Sequence, residues 1–225
     1  MQLQKATRKK VKLRLGLSAV AGGGKTYSAL LLAKGLVNDW NKIAVIDTEN
    51  NSASLYSHLG EFNTIELAAP YSPERYIQAI DACVNAGMEC IIIDSITHEW
   101  DGKGGCLEIA DQVTQASNSK NSYTAWAKVT PRHQAFIDKI LQCQAHVITT
   151  VRRKQDYDMV KDGNKTQVVK VGMKEVTREG FEYELTCNFN LETSHYCTAS
   201  KDRTGLFMGK DPFIVTEETG KMIKE

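Results

Sequence analysis

The sequence predicts an α/β fold, a mostly parallel central sheet flanked by helices with antiparallel strands at one edge. Three observations carry this. Short apolar runs ending in acidic residues (KIAVIDT at 42–48, ECIIIDS at 89–95) alternate with stretches of helical periodicity, as buried parallel strands do. A glycine-rich loop stands between the first strand and the first helix. Beyond residue 151 the period shortens to the alternation of antiparallel strands. A length of 225 residues suits one domain over 1–225, with residues 1–10 as a basic N-terminal arm and 152–180 as a loop or hairpin.

Val11–Ser18 alternates apolar and basic residues, which predicts a half-buried strand. TYSALLLAKGLV at 26–37 has leucines and alanines at helical spacing. Strands follow at Lys42–Thr48 and Thr64–Ala68, then a helix from Pro73 to about Ala86, with Ser72-Pro73 as N-cap and first helical position. The next strand is Glu89–Ser95. The polar stretch Thr114–Ser122 reads as a mobile internal loop. By the logic of Ser72-Pro73, Thr130-Pro131 starts a helix running to Gln142, and Ala145–Val151 is a further buried strand. Asp156–Val171 reads as two strands around a LysAspGlyAsn turn at 161–164. Phe181–Leu191 and Tyr196–Ser200 read as antiparallel strands, and Thr216–Lys224 as a short final helix.

Composition excludes several classes. With 42% hydrophobic and 24% charged residues the chain is neither disordered nor fibrous. No apolar run approaches the length needed to cross a bilayer, and charges interrupt the apolar pattern after the basic start, so no signal-peptide core is present. A cytoplasmic location, away from membranes, is the expectation. The six cysteines, at 83, 90, 106, 143, 187 and 197, show no CxxC and no paired Cys/His spacing. They read as reduced, buried thiols rather than disulfides or a zinc site. The five histidines are scattered and suggest no metal cluster.

SAVAGGGKT at 18–26 is the strongest chemical signal, since it lies between a strand and a helix. Ala21, Gly22, Gly23, Gly24, Lys25, Thr26 and Tyr27 form a phosphate-binding segment: backbone N–H groups and the helix N-terminus face phosphate oxygens. Lys25 supplies a charge to the β- and γ-phosphates of ATP, and Thr26 a hydroxyl to Mg²⁺. The usual first glycine is Ala19, tolerable if its φ stays negative. Asp94, ending an apolar strand, is the second metal residue. Glu49, ending the strand after the phosphate loop, can orient and deprotonate the attacking water; the position directly after Asp94 is Ser95.

In SKDRTG at 200–205, Lys201 and Arg203 stand two apart on an extended segment and face the same way. With the phosphate loop, DTE at 47–49 and IIIDS at 91–95, this motif makes the chain resemble a single-domain RecA-family P-loop ATPase from about Lys12 to Leu206. It is similar to the short phage-encoded, AAA-type nucleotide-binding proteins implicated in recombination and single-strand annealing, a likeness shared by APYSPERY at 69–76, DSITHEW at 94–100 and WAKVTPRH at 126–133. The resemblance implies ATP hydrolysis with Mg²⁺, with Lys25 and Glu49 in the catalytic site. It further implies a homo-oligomer in which Lys201 and Arg203 reach a neighbour's nucleotide. Single-stranded DNA is the implied ligand, and a single-strand-binding protein a further implied partner. Two departures stand out: Thr149-Thr150-Val151-Arg152 occupies the place of the family's sensor glutamine, and no polymerisation domain precedes the first strand. A nucleotide-switched mediator with little turnover, or a hexameric helicase or loader, is the alternative.

The resemblance assigns DNA contact to the loop after the sensor strand. Here that segment carries Arg152, Arg153, Lys154, Lys161, Lys165, Lys170, Lys174 and Arg178 against four acidic residues, with Tyr157 able to stack on a base. Net charge over the whole chain is +1, yet residues 1–14 carry +6, residues 152–178 carry +4 and the rest −9. Any nucleic-acid contact is therefore confined to a stripe and is strongly salt-sensitive. His98, Glu99 and Trp100 are expected near the substrate, although Trp100 and Trp126 also suit a core.

Overall fold

A computed structural model describes residues 11–117, 121–162 and 165–224. The basic arm over 1–10, residues 118–120 of the polar stretch and residues 163–164 of the hairpin turn lie outside the described residues. In order, the elements are β1 (Arg14–Ala19), α1 (Lys25–Val37), β2 (Ile43–Asp47), β3 (Asn63–Glu66), α2 (Pro73–Asn85) and β4 (Cys90–Asp94). Then come α3 (Thr97–Asp101), α4 (Cys106–Ala116), α5 (Ser122–Gln142), β5 (His146–Asp162), β6 (Lys165–Glu175) and α6 (Phe181–Glu184). β7 (Cys187–Leu191), β8 (Tyr196–Asp202), β9 (Phe213–Ile214) and α7 (Glu217–Lys224) complete the chain.

One sheet runs β3-β2-β4-β5-β1-β7-β8-β9, with β6 paired to the extension of β5. From β3 to β7 every pairing is parallel; β8 and β9 are antiparallel. The carboxyl ends of the parallel strands therefore share one edge, where crevices for ligands form in such sheets.

Strand period divides the core into two layers. Leu15, Leu17, Val45, Ile92 and Ile148 point to the α1 side, while Ile46, Ile91, Ile93 and Val147 point to the side of Phe136, Ile137 and Tyr76 from α5 and α2. Gly35 of α1 is a contact point rather than a turn: a Cβ there would lie 2.0 Å from the Glu217 carbonyl of α7.

Four expectations are corrected. β1 is buried along its whole length instead of half-buried, because β5 and β7 flank it. Its Arg14, one of the basic residues of that alternation, is buried with the rest. The guanidinium donates to the carbonyls of Leu13, Leu141, Cys143 and Ala145, where α5 ends, and so satisfies helix-terminal acceptors. Pro131 does not open a helix. It lies inside α5, which starts at Ser122 under an Asn121 cap whose Oδ1 accepts the Tyr123 N–H at 2.9 Å. The polar loop shrinks accordingly, since α4 runs to Ala116. Finally, Phe181–Leu191 is not one strand: α6 comes first, and β7 then runs parallel to β1. The six cysteines are free and buried, as expected, and among the described residues no helix is long and apolar enough to cross a membrane.

His146 ties the start of β5 to β1. Its Nδ1 accepts the Leu13 N–H at 2.9 Å, and burial, aided by the Lys12, Arg14 and Lys224 charges, depresses the imidazole to about 4. The unfolded chain takes up this proton first, near the ordinary 6.5, so stability falls as pH drops from there to about 4. Thermal unfolding midpoints should decline across that window, and His146→Gln should flatten the decline. Superimposable pH profiles for the two proteins would remove this residue as the cause.

Candidate active site

The carboxyl edge gathers the motif residues. After β1 the loop turns at Gly22 (φ 77°) and Gly24 (φ 82°), a left-handed backbone that glycine adopts without penalty. Ala19 ends β1 in the core with no positive φ, and a Cβ at Gly23 would lie 2.7 Å from its methyl group. The substitution of the loop's usual first glycine is thus absorbed by Gly23. α1 begins at Lys25, so its free N–H groups and dipole point into the loop. Lys25 Nζ donates to the Ala19 and Val20 carbonyls at 3.3 and 3.0 Å. Burial pushes its ammonium below the ordinary value, opposed by the Asp94 and Glu49 charges. Ala21 is exposed on the loop, and Tyr27 sits half out of α1 with its ring 5.9 Å from Tyr56.

Thr26 Oγ1 donates to Asp94 Oδ2 at 2.5 Å, and Thr150 Oγ1 to Asp94 Oδ1 at 2.6 Å. Asp94 is 2% exposed; burial pushes its carboxyl above the usual range while the two hydroxyls oppose the shift. Asp47 is paired directly across from it in the β2–β4 register, yet serves a different purpose. Its two oxygens accept the Glu49 and Ala53 N–H groups at 2.7 and 2.8 Å, closing the turn that aims Glu49.

Glu49 is only partly buried, and Ser95 Oγ donates to its Oε1 at 3.0 Å. Arg152 completes its surroundings, with Nε 3.0 Å from Oε1 and a terminal nitrogen paired to Oε2. Arg152, placed from sequence both in the DNA loop and in the stretch that replaces the family's sensor glutamine, thus has its guanidinium on Glu49. Thr48 braces the same corner: its Oγ1 accepts the Ser95 N–H at 2.8 Å and lies 2.8 Å from His98 Nδ1. His98 stacks on Tyr71 with ring centroids 4.9 Å apart, and burial lowers its pKa, favouring the neutral imidazole.

Residues 11–213 match the family model of an AAA domain. The chain belongs to this AAA-domain family. The family indicates an ATPase-type P-loop domain and suggests nucleotide binding, usually with Mg²⁺. No curated protein matches the chain.

The remaining expected site residues of this AAA domain lie apart from the phosphate loop. Lys201 and Arg203 do face the same way, both donating to the Tyr183 carbonyl at the end of α6. Lys201 also lines a cavity of about 580 Å³ with Arg153, Lys174 and Arg178, at the base of the β5–β6 hairpin. Lys154 and Lys170 are exposed on that hairpin, as is Tyr157. Lys174 pairs with Glu179, and Arg153 donates to the Met173 carbonyl at 3.3 Å. The side chains of Lys161 and Lys165 lie outside the described residues.

Sequence reasoning missed Ser95 as a partner of Glu49, Asp47 as a turn-closing residue, and His195, whose ring covers Gly24. A Cβ at Gly24 would lie 2.9 Å from His195 Nδ1. For Ser95 a signal existed: a polar residue at a strand's carboxyl end, beside Asp94. Glu99 is buried at 1% exposure, and Trp100 and Trp126 stack on each other 5.5 Å apart.

Proposed function

We propose that the chain is a Mg-ATP hydrolase of RecA-like type that works on single-stranded DNA in recombination or strand annealing, like the short phage-encoded proteins it resembles. It acts as a homo-oligomer with nucleotide at the subunit interface. One observation supports this reading above the others: a single strand, β5, joins both ends of the chemistry. Its Thr150 and Arg152 touch Asp94 and Glu49, and its continuation forms the exposed hairpin bearing Arg153, Lys154 and Lys170. A ligand held by the hairpin would bear on the catalytic carboxylate through one stretch of backbone.

Lys25 and the loop N–H groups bind and orient the phosphates. Glu49 orients a water and takes its proton. The Thr26 hydroxyl and Asp94 carboxylate, two oxygen donors in contact, suit a hard divalent cation. Bound there, Mg²⁺ would supply charge neutralisation of the phosphates. Lys201, half-buried near the end of β8, and Arg203, exposed just beyond it, serve a neighbour's nucleotide.

The decisive experiment measures phosphate release over a range of protein concentrations, with and without poly-dT, together with mass in ATP and in ADP. Turnover is expected to rise at least about tenfold with DNA, a barrier change of ~1.4 kcal/mol, and to rise with protein concentration. No DNA response combined with a constant monomer would overturn the proposal. The Arg152–Glu49 ion pair favours a second reading, a nucleotide-switched mediator, because it occupies the base. Under that reading ATP shifts the mass while phosphate release stays negligible even with DNA.

A further inference from the structure

Behind the nucleotide site, α3, α4 and α5 enclose a small core of their own. Its fully buried members are Cys106, Ala110 and Val129, with Trp100, Ile109 and Trp126 packed around them. Inside it lie a carboxylate, an imidazole and a thiol, one from each helix. Glu99 is 1% exposed, His133 3% and Cys106 0%. His133 Nδ1 lies 3.0 and 3.1 Å from the two Glu99 oxygens, and Cys106 Sγ lies 3.1 Å from Glu99 Oε1. The candidate ligand atoms all fall within 4.8 Å of one another, and no second such group exists among the described residues.

We propose that Glu99, Cys106 and His133 form a structural site for a divalent transition-metal ion, Zn²⁺ by preference. The donor set decides the class. Sulfur, nitrogen and oxygen together suit Zn²⁺ or Co²⁺ and not the hard ions Mg²⁺ or Ca²⁺. A carboxylate using both oxygens, with Nδ1 and Sγ, supplies four donor atoms. A thiolate and a carboxylate balance a 2+ ion, so the loaded site is electroneutral and its burial costs least.

Local folding points the same way. The turn between α3 and α4 is Gly102-Lys103-Gly104-Gly105. A Cβ at Gly102 would meet the His98 carbonyl at 2.5 Å, and one at Gly105 the Glu99 carbonyl at 2.7 Å. Gly104 has φ 75°. These glycines fold α4 tightly back, setting the sulfur of its first residue against Glu99. A buried ion pair is a poor stabiliser compared with apolar packing, whereas a metal staple is what a core with so few buried residues lacks. α3 starts three residues after Asp94, so the staple would brace the strand end that holds the nucleotide site's aspartate.

The test uses the full chain. Metal content is measured on protein purified without chelator, and chelator-treated protein is titrated with Co²⁺ while thiolate-to-cobalt charge transfer is followed. The expected result is about one zinc per chain and a stoichiometric thiolate band. Cys106→Ser should abolish the band, His133→Ala should weaken Co²⁺ binding at least ~100-fold, and Cys143→Ser, a buried thiol outside the group, should leave both unchanged. An absent thiolate band in the wild-type chain overturns the proposal whether or not the variants fold. So does zinc retained in full by Cys106→Ser. A metal at Thr26 and Asp94 gives no thiolate band, so the two sites cannot be confused.

Discussion

Glu49→Gln should leave ATP binding intact and lower turnover by ~10²–10⁴-fold, the usual contribution of a general base. The variant is isosteric and neutral. Its amide keeps a carbonyl oxygen to accept from Ser95 Oγ and Arg152 Nε, which both reach Oε1 in the wild-type chain. The turn aiming the side chain rests on Asp47 and the Glu49 backbone, so the position of residue 49 is preserved. What disappears is the carboxylate's ability to take a proton from water, together with the pairing of Oε2 with the Arg152 terminal nitrogen. Single-turnover phosphate release checks this, with nucleotide affinity measured calorimetrically on the same protein. Turnover within about tenfold of wild type would remove Glu49 as the base.

Lys25→Ala should abolish turnover by the other route, through binding. Lys25 is 9% exposed and its ammonium donates to the Ala19 and Val20 carbonyls of its own loop. Truncating one member of a buried charge pair costs about 2–5 kcal/mol, so ATP affinity should fall at least ~30-fold. The fold should survive, because the loop's shape depends on the glycine backbone and not on this side chain. Calorimetric titration with ATP and a thermal melt separate the two effects. An unchanged melt with wild-type affinity would place the phosphates elsewhere.

Much of the fold was legible because its signals are local. β2 and β4 are short apolar runs closed by aspartate, and in the structure they pair in register, Asp47 opposite Asp94. The phosphate loop declared itself through its glycines, two of which take left-handed φ values that most side chains resist. Signals that failed were those with two physical outcomes. Thr130-Pro131 suits a helix start, but a proline is also tolerated inside a long helix whose other face is packed, as Phe136, Ile137 and Ile140 are. Arg14 looked like surface because arginine is seldom buried; only the fold brings the end of α5 to it. The Arg152–Glu49 pair joins positions 103 apart, and the Glu99–Cys106–His133 group draws on three helices, two of them unforeseen. Neither spacing resembles a motif.

The hairpin offers a geometric point. β5 runs 17 residues from the core outward, roughly 55 Å if fully extended, and its ladder with β6 falls out of step between Asp156 and Tyr157. A register break of this kind bends the strand and raises its twist. Arg153, Lys154 and Lys174 lie on the inner stretch of ladder, continuous with Arg152, whereas Lys170 lies past the break. The hairpin thus presents its basic side chains as two stretches set at an angle, and only the inner one shares an unbroken ladder with the residue that grips Glu49.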